Sequence, residues 1–195
     1  MIRAIMMSCM LMELAAVNAA SSEIVEIPLP ALNRTYRCDS TGCDNWDTAS
    51  VQLERVPETV YGVWIRVSGT VTAGQFWCDF GWPPPYMIPV GMQFGADMYD
   101  SLNGHWWGAG FVTLDESGTF QYQAQFGQCC GATWEFLRSR KADVRLGAWP
   151  NCAFLECEPR VWPEATVNEA VLVIEADWSV ATRGSSWGAI KSLYR

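Results

Sequence analysis

Apolar and polar residues alternate along most of this chain with a period of two, the spacing that sends successive side chains to opposite faces of a β-strand. Phe120-Gln121-Tyr122-Gln123-Ala124-Gln125-Phe126 alternates without a fault and predicts a half-buried strand with a wet glutamine face. Gly110–Leu114 precedes it across Asp115-Glu116-Ser117-Gly118, whose turn residues predict a hairpin between the two. Thr59–Val71 reads as a long strand with Val63, Ile65 and Val67 on one face and Trp64, Arg66 and Ser68 on the other. Glu169–Val180 reads as another, aligning Leu172, Ile174, Ala176 and Trp178. Shorter strands are expected at Glu23–Leu29, Ser50–Glu54, Met87–Phe94, Thr133–Leu137 and Asp143–Ala148, punctuated by Gly, Pro, Asn and Asp. No segment before the tail holds a 3.6-residue period over ten positions. The pattern predicts an all-β fold: a two-sheet antiparallel β-sandwich, jelly-roll-like, in one domain over residues 21–180. Trp82-Pro83-Pro84-Pro85 donates no ladder hydrogen bonds from its prolines and is expected as a stiff surface loop.

The first twenty residues break this pattern. Arg3 precedes an apolar run from Ala4 to Met12, and Val17-Asn18-Ala19-Ala20 offers small residues for cleavage. Five of the eight methionines lie here. Residues 1–20 are therefore expected to be a cleaved secretory signal, with Glu13 an unusual charge at its apolar end. No later run approaches the roughly 18 apolar residues of a membrane span, so no transmembrane segment is expected.

Export changes the reading of the cysteines. Seven of the eight follow the signal: Cys38, Cys43, Cys78, Cys129, Cys130, Cys152 and Cys157. Disulfides are the default in an oxidising compartment. Cys38 and Cys43 flank a turn-rich tetrad and are expected to bond; Cys152 and Cys157 repeat that spacing. Cys78 is expected to pair with Cys129 or Cys130, leaving one thiol over. A four-cysteine zinc site from the two Cys-x4-Cys pairs fits poorly, because structural zinc knuckles are spaced more tightly.

The chain is half hydrophobic and 17 % charged, with a net charge of −8. It is too apolar for disorder and too acidic to bind nucleic acid by neutralising phosphates.

Candidate chemistry is sparse. The single histidine, His105, has no nucleophile and carboxylate beside it to form a triad, and no second histidine with which to hold a metal. Glu135 and Glu175 sit between large apolar neighbours within expected strands, so a glycoside hydrolase with two carboxyls across a cleft is the enzymatic alternative. Asp39, Asp44, Asn45 and Asp47 cluster within nine residues; such oxygen ligands can hold calcium or cap their own hairpin.

The 11 tryptophans carry the leading functional expectation. Trp64, Trp134 and Trp178 lie on expected strands and suit packing. Trp77, Trp82, Trp106 and Trp107 lie in or beside Gly- and Pro-rich loops, where rings can stack on the apolar faces of sugars. Asp79, Gln93, Asp97 and Asn103 could supply polar contacts. Residues 181–186 read as a linker, and Trp187, Ile190 and Leu193 or Tyr194 then fall at helical spacing in a tail ending at Arg195, either a docking element or a satellite of the sandwich. The sequence thus points to a secreted or surface binding module, with carbohydrate or another surface protein as partner. A structural protein docked by its tail is the alternative.

Overall fold

The computed structural model describes residues 22–38, 46–79, 86–127, 133–150 and 157–178. The fold is all-β and sandwich-like, with two large antiparallel sheets and a small third one. The first large sheet is ordered β1 (Glu23–Pro28), β12 (Glu164–Trp178), β4 (Pro57–Thr72), β9 (Gly118–Gln125), with β2 (Thr35–Arg37) also pairing β12. The second is ordered β3 (Asp47–Gln52), β10 (Lys141–Pro150), β7 (Met92–Asp100), β8 (His105–Leu114). The core lies between them. Val63, Ile65 and Val67 of β4 and Leu172, Ile174 and Ala176 of β12 are buried there, as the alternation predicts. Phe94, Ala96 and Met98 of β7 and Val144, Leu146 and Ala148 of β10 meet them from the other sheet. Phe94 stacks on Phe120 across the layers at 5.4 Å and meets the edge of Tyr36 at 5.6 Å.

The third sheet is built from the connections between the other two. Its order is β11 (Cys157–Val161), β5 (Gly74–Cys78), β6 (Tyr86–Val90). β5 follows β4 after Ala73, β6 continues into β7 past Gly91, and β11 leads into β12 through Trp162-Pro163. The expected strand Met87–Phe94 is thus broken at Gly91 into members of two sheets. Phe76, Cys78 and Val90 form a small separate core with Ile88, Cys157 and Trp162.

Three local expectations are corrected. β8 and β9 form no hairpin: β8 bonds to β7 and β9 to β4, so residues 115–117 carry the chain from one sheet to the other. A turn-rich loop serves an arch between sheets as well as a hairpin, and in both cases Leu114 and Phe120 can face one core. Gly91 makes room for this arch, since a Cβ there would stand 2.0 Å from the Leu114 carbonyl oxygen. The expected strand Thr133–Leu137 is replaced by a 3₁₀ turn at Glu135–Ser139. Phe136 and Leu137 are consecutive and both buried, and a strand would send them to opposite faces. Cys78 bonds to Cys157, its direct register partner on β11, with Cα atoms 4.2 Å apart. That bond overturns both the pairing of Cys78 with Cys129 or Cys130 and the pairing of Cys152 with Cys157. Cys38 is buried at the end of β2. Cys43, Cys129, Cys130 and Cys152 lie outside the described residues, as do the expected signal, the Trp82 loop and the tail. No helix among the described residues is long and apolar enough to cross a membrane.

Candidate functional site

The outer face of the four-stranded sheet carries a cluster of aromatic and polar side chains. Register builds it. Arg145 of β10 pairs with Asp97 of β7, which pairs in turn with Gly108 of β8. Gly147 faces Gly95 one step along, and Trp149 faces Gln93 at the next. Tyr99 lies opposite Trp106. Period two puts all these side chains on one side, because Phe94, Ala96, Met98, Leu146 and Ala148 take the core side. Trp46, just before β3, reaches the same surface.

Glycine in a strand weakens it unless something needs to come close. Here indoles do. A Cβ on Gly147 would stand 2.7 Å from the Trp46 ring, and one on Gly95 would stand 2.7 Å from the tip of Trp149. The two rings lie 6.0 Å apart, tilted by 42°. The Trp149 indole N–H donates to the Gln93 side-chain oxygen, which fixes its orientation. At the other end, Tyr99 and Trp106 approach to 5.0 Å.

Arg145 joins the two ends. Its guanidinium carbon lies 4.3 Å from the Trp46 ring centroid and 4.1 Å from that of Trp106, within reach of cation–π attraction to both. Its Nε and Nη2 donate to Asp97 Oδ2 at 2.8 and 2.6 Å. Farther along β10, Asp143 accepts from Lys141 Nζ at 2.9 Å and from Ser50. Burial pushes the Asp143 carboxyl up, but these donors outweigh it and hold it below the usual range. Among the described residues, Asp97 and Asp143 on this face each have a cation of their own.

Of the expected site residues, Trp82 lies outside the described residues, and the described ones are divided between separate places. Trp106 joins this face. Trp107, on the same strand, points inward against the core, and its Nε1 donates to Asp100 Oδ2 at 3.2 Å. Asn103 is used locally: its backbone N–H and side-chain Nδ2 donate to the two Asp100 oxygens at 3.1 and 2.9 Å, closing the β7–β8 turn. His105 meets the edge of Trp107 at 4.3 Å and lies 4.0 Å from Asp100. Trp77 sits on β5 between Met87 and Glu158, in the third sheet. Asp79 follows that strand and is exposed. The nine residues of β7 separate this group from the Trp106 end, a span of roughly 30 Å at strand rise. Gln93 and Asp97, by contrast, both lie on the aromatic face.

Of the oxygen-rich cluster, Asp39, Asp44 and Asn45 lie outside the described residues, and Asp47 pairs with Arg34 Nε at 2.9 Å. Among the described residues no three His, Cys, Asp or Glu side chains converge as a metal site. Glu175 accepts from Ser22 Oγ at 2.9 Å on the outside of the five-stranded sheet. Glu135 is exposed beside Trp134 and Glu58 in an open hollow of about 240 Å³.

Trp46, Tyr99, Arg145 and Trp149 were not legible as site residues from the sequence. The available signal was Gly95 and Gly147, each interrupting a strand pattern where a ring must lie close.

No protein-family model and no curated protein matches the chain. Among solved structures, a chain from "Structure of infectious bursal disease virus Gx strain" is similar over 82 % of this chain, at 9 % identity and a TM-score of 0.27. The match spans 38 % of that viral chain, and at such a score it carries no argument about function.

Proposed function

We propose that the protein is a secreted or cell-surface carbohydrate-binding module, and that its binding face is the outer surface of the four-stranded sheet rather than the loops. The observation that carries this reading is the set of partly exposed rings, Trp46, Tyr99, Trp106 and Trp149, laid over a glycine floor and spaced by Arg145. Planar rings beside oriented amide, carboxylate and guanidinium groups suit pyranose rings, whose C–H faces are apolar and whose rims are polar. The described carboxylates of the face, Asp97 and Asp143, are already engaged by Arg145 and Lys141, which suits a neutral glycan. The disulfide Cys78–Cys157 supports an oxidising compartment and hence export. Calcium remains a proposal for the Asp39–Asp47 segment, where Arg34 competes for Asp47.

The test is titration of the oxidised protein with neutral and acidic polysaccharides, followed by tryptophan emission and calorimetry, with and without calcium. A neutral glycan should bind, and Trp46→Ala and Trp106→Ala should each weaken it by roughly five- to tenfold, about 1 kcal/mol or more per stacked ring. Binding that survives both substitutions would move the site elsewhere, and no binding by folded protein would sink the reading.

A further inference from the structure

A second surface lies at the opposite large sheet, where β1 forms an open edge. Leu29 N donates to Ala170 O at 2.8 Å, continuing the β1–β12 register in which Ile27 faces Leu172 and Val25 faces Ile174. Antiparallel bonding alternates, so residues 27, 25 and 23 turn their backbone groups toward β12. Ile24 and Glu26 turn their N–H and C=O outward, with the Pro28 carbonyl beside them. Among the described residues nothing pairs with this edge, which is the outermost in its sheet. Ile24 is 61 % exposed.

A groove of about 310 Å³ runs along that edge. Its floor is Val25 and Ile27, both only half-buried, and residues Leu53, Glu54 and Arg55 form the facing wall. Trp178, the last residue of β12, also lines it, under the Arg55 guanidinium at 5.3 Å and with its indole N–H on Glu23 O at 3.1 Å. Arg55 is committed to Glu23 at 2.5 Å and Arg66 to Glu26 at 2.8 Å, which leaves Glu54 as the exposed charge of the wall. A wall beside an open edge obstructs another whole sheet but admits one extended strand.

The chain carries a segment of matching chemistry. Residues 22–178 hold nine basic and twenty acidic side chains, a net −11. Residues 179–195 hold Arg183, Lys191 and Arg195 and no acid, with Trp187, Ile190, Leu193 and Tyr194 among them. They follow Trp178 directly, so they start at the groove. Seventeen residues reach roughly 55 Å when extended, against the roughly 20 Å needed to run along the six residues of β1. We propose that the groove beside β1 is the docking site for this chain's own carboxy-terminal segment, whose residues 179–186, ahead of the helically spaced Trp187, Ile190 and Leu193, add a strand through the Ile24 and Glu26 backbone, and whose basic residues sit against the acidic body. The device closes the open edge of the sheet.

Residue-resolved amide exchange on the full mature chain tests this, comparing the wild type with Arg183→Glu/Lys191→Glu/Arg195→Glu, which alters no residue of the sandwich. The Ile24 and Glu26 amides should exchange at least about tenfold more slowly in the wild type, and protection should be lost in the variant while β4 and β12 stay protected. A synthetic peptide of residues 179–195 added to the variant should restore it. Equal exchange at Ile24 and Glu26 in both proteins, whether fast or slow, overturns the proposal. Protection that rises with protein concentration, with dimers in sedimentation, overturns the intramolecular form and gives the groove to the segment of a second copy.

Discussion

Arg145 and Asp97 face each other across β10 and β7 and share one carboxylate oxygen twice over, while the same guanidinium lies over Trp46 and Trp106. One side chain thereby sets both the charge balance and the ring spacing of the aromatic face. Lysine at this position keeps the charge but has neither the planar fork nor the stacking surface. Arg145→Lys should therefore destabilise the fold by about 1 kcal/mol, and Arg145→Ala by about 2 kcal/mol because Asp97 is left without its partner. Both should shift tryptophan emission in the native state. Urea unfolding at pH 7 measures the first effect and emission spectra the second. An alanine variant as stable as the wild type, with unchanged emission, would show the contact to be incidental.

Among the described residues Asp100 is the fully buried charged side chain, at the far end of the same sheet. Burial pushes its carboxyl up, but donors from the Asn103 side chain, the Asn103 and Leu102 backbone and the Trp107 indole together hold it below its ordinary value of 3.8. A carboxyl depressed in the folded state stabilises above its unfolded pKa and loses that contribution as pH falls through the folded one. Asp100→Asn should cost about 2 kcal/mol at pH 5 to 7, and the gap to the wild type should narrow below about pH 4. Urea midpoints at pH 7, 5, 4 and 3 decide it. A gap that stays constant or widens on acidification contradicts the assignment.

The sandwich was legible because the inward positions at the middle of its long strands recur every second residue: Val63, Ile65 and Val67 face Ile174, Leu172 and Ala170, with the bulges of β12 falling to either side of them. The third sheet was not, because β5, β6 and β11 are five residues each and adjoin longer strands across Ala73, Gly91 and Trp162-Pro163, where a sequence shows only a break. Alternation also cannot name a strand's neighbour. Hence the alternation marks Gly110–Leu114 and Phe120–Phe126 as strands but not that the first pairs with β7 and the second with β4. The candidate site was half legible for the same reason. Trp106, Gln93 and Asp97 stood out as residues, but Trp46, Arg145 and Trp149 join them only through the register of β3, β10 and β7. Cys78 and Cys157, 79 residues apart, meet by register in the same way.

Tyr122 ties the two sheets at the edge where the β8–β9 arch leaves them open. Its hydroxyl donates to Gly110 O at 2.9 Å, and Gly110 presents that carbonyl from a bulge with φ of 81°. Burial, and then the negative charge of Asp97, push its phenol up to about 12. The neutral phenol is thus favoured in the folded state. Its contribution is complete below the unfolded value near pH 10 and fades as pH rises toward 12. Tyr122→Phe should cost about 1 kcal/mol at pH 7 for the lost hydrogen bond and should flatten part of the alkaline decline. Tyr36, raised by burial in the same direction, keeps the remainder. Unfolding measured from pH 8 to 11.5 should show the two proteins converging; parallel curves would exclude Tyr122 as a source of the decline.

The third sheet depends on its disulfide more than the sandwich does. Apart from Cys78 and Cys157, its core consists of Phe76, Val90 and Ile88, with Trp162 meeting the edge of Phe76 at 5.3 Å. That is little apolar area to order three strands of five residues. The bond closes a loop of 79 residues, and a loop of that length removes enough unfolded-chain entropy to contribute about 4 kcal/mol. Cys78→Ala/Cys157→Ala should therefore lower the stability by about 3 to 4 kcal/mol in urea. The loss should not be uniform. Amides of β5 and β11 should exchange faster well before the urea midpoint, while those of β7 and β10, held by the main core, keep their protection until global unfolding. The aromatic face lies on β7 and β10, so the glycan affinity proposed for that face, measured below the midpoint, should be unchanged. A variant in which β5 and β10 lose protection together would instead show that the small sheet is part of one cooperative unit with the sandwich.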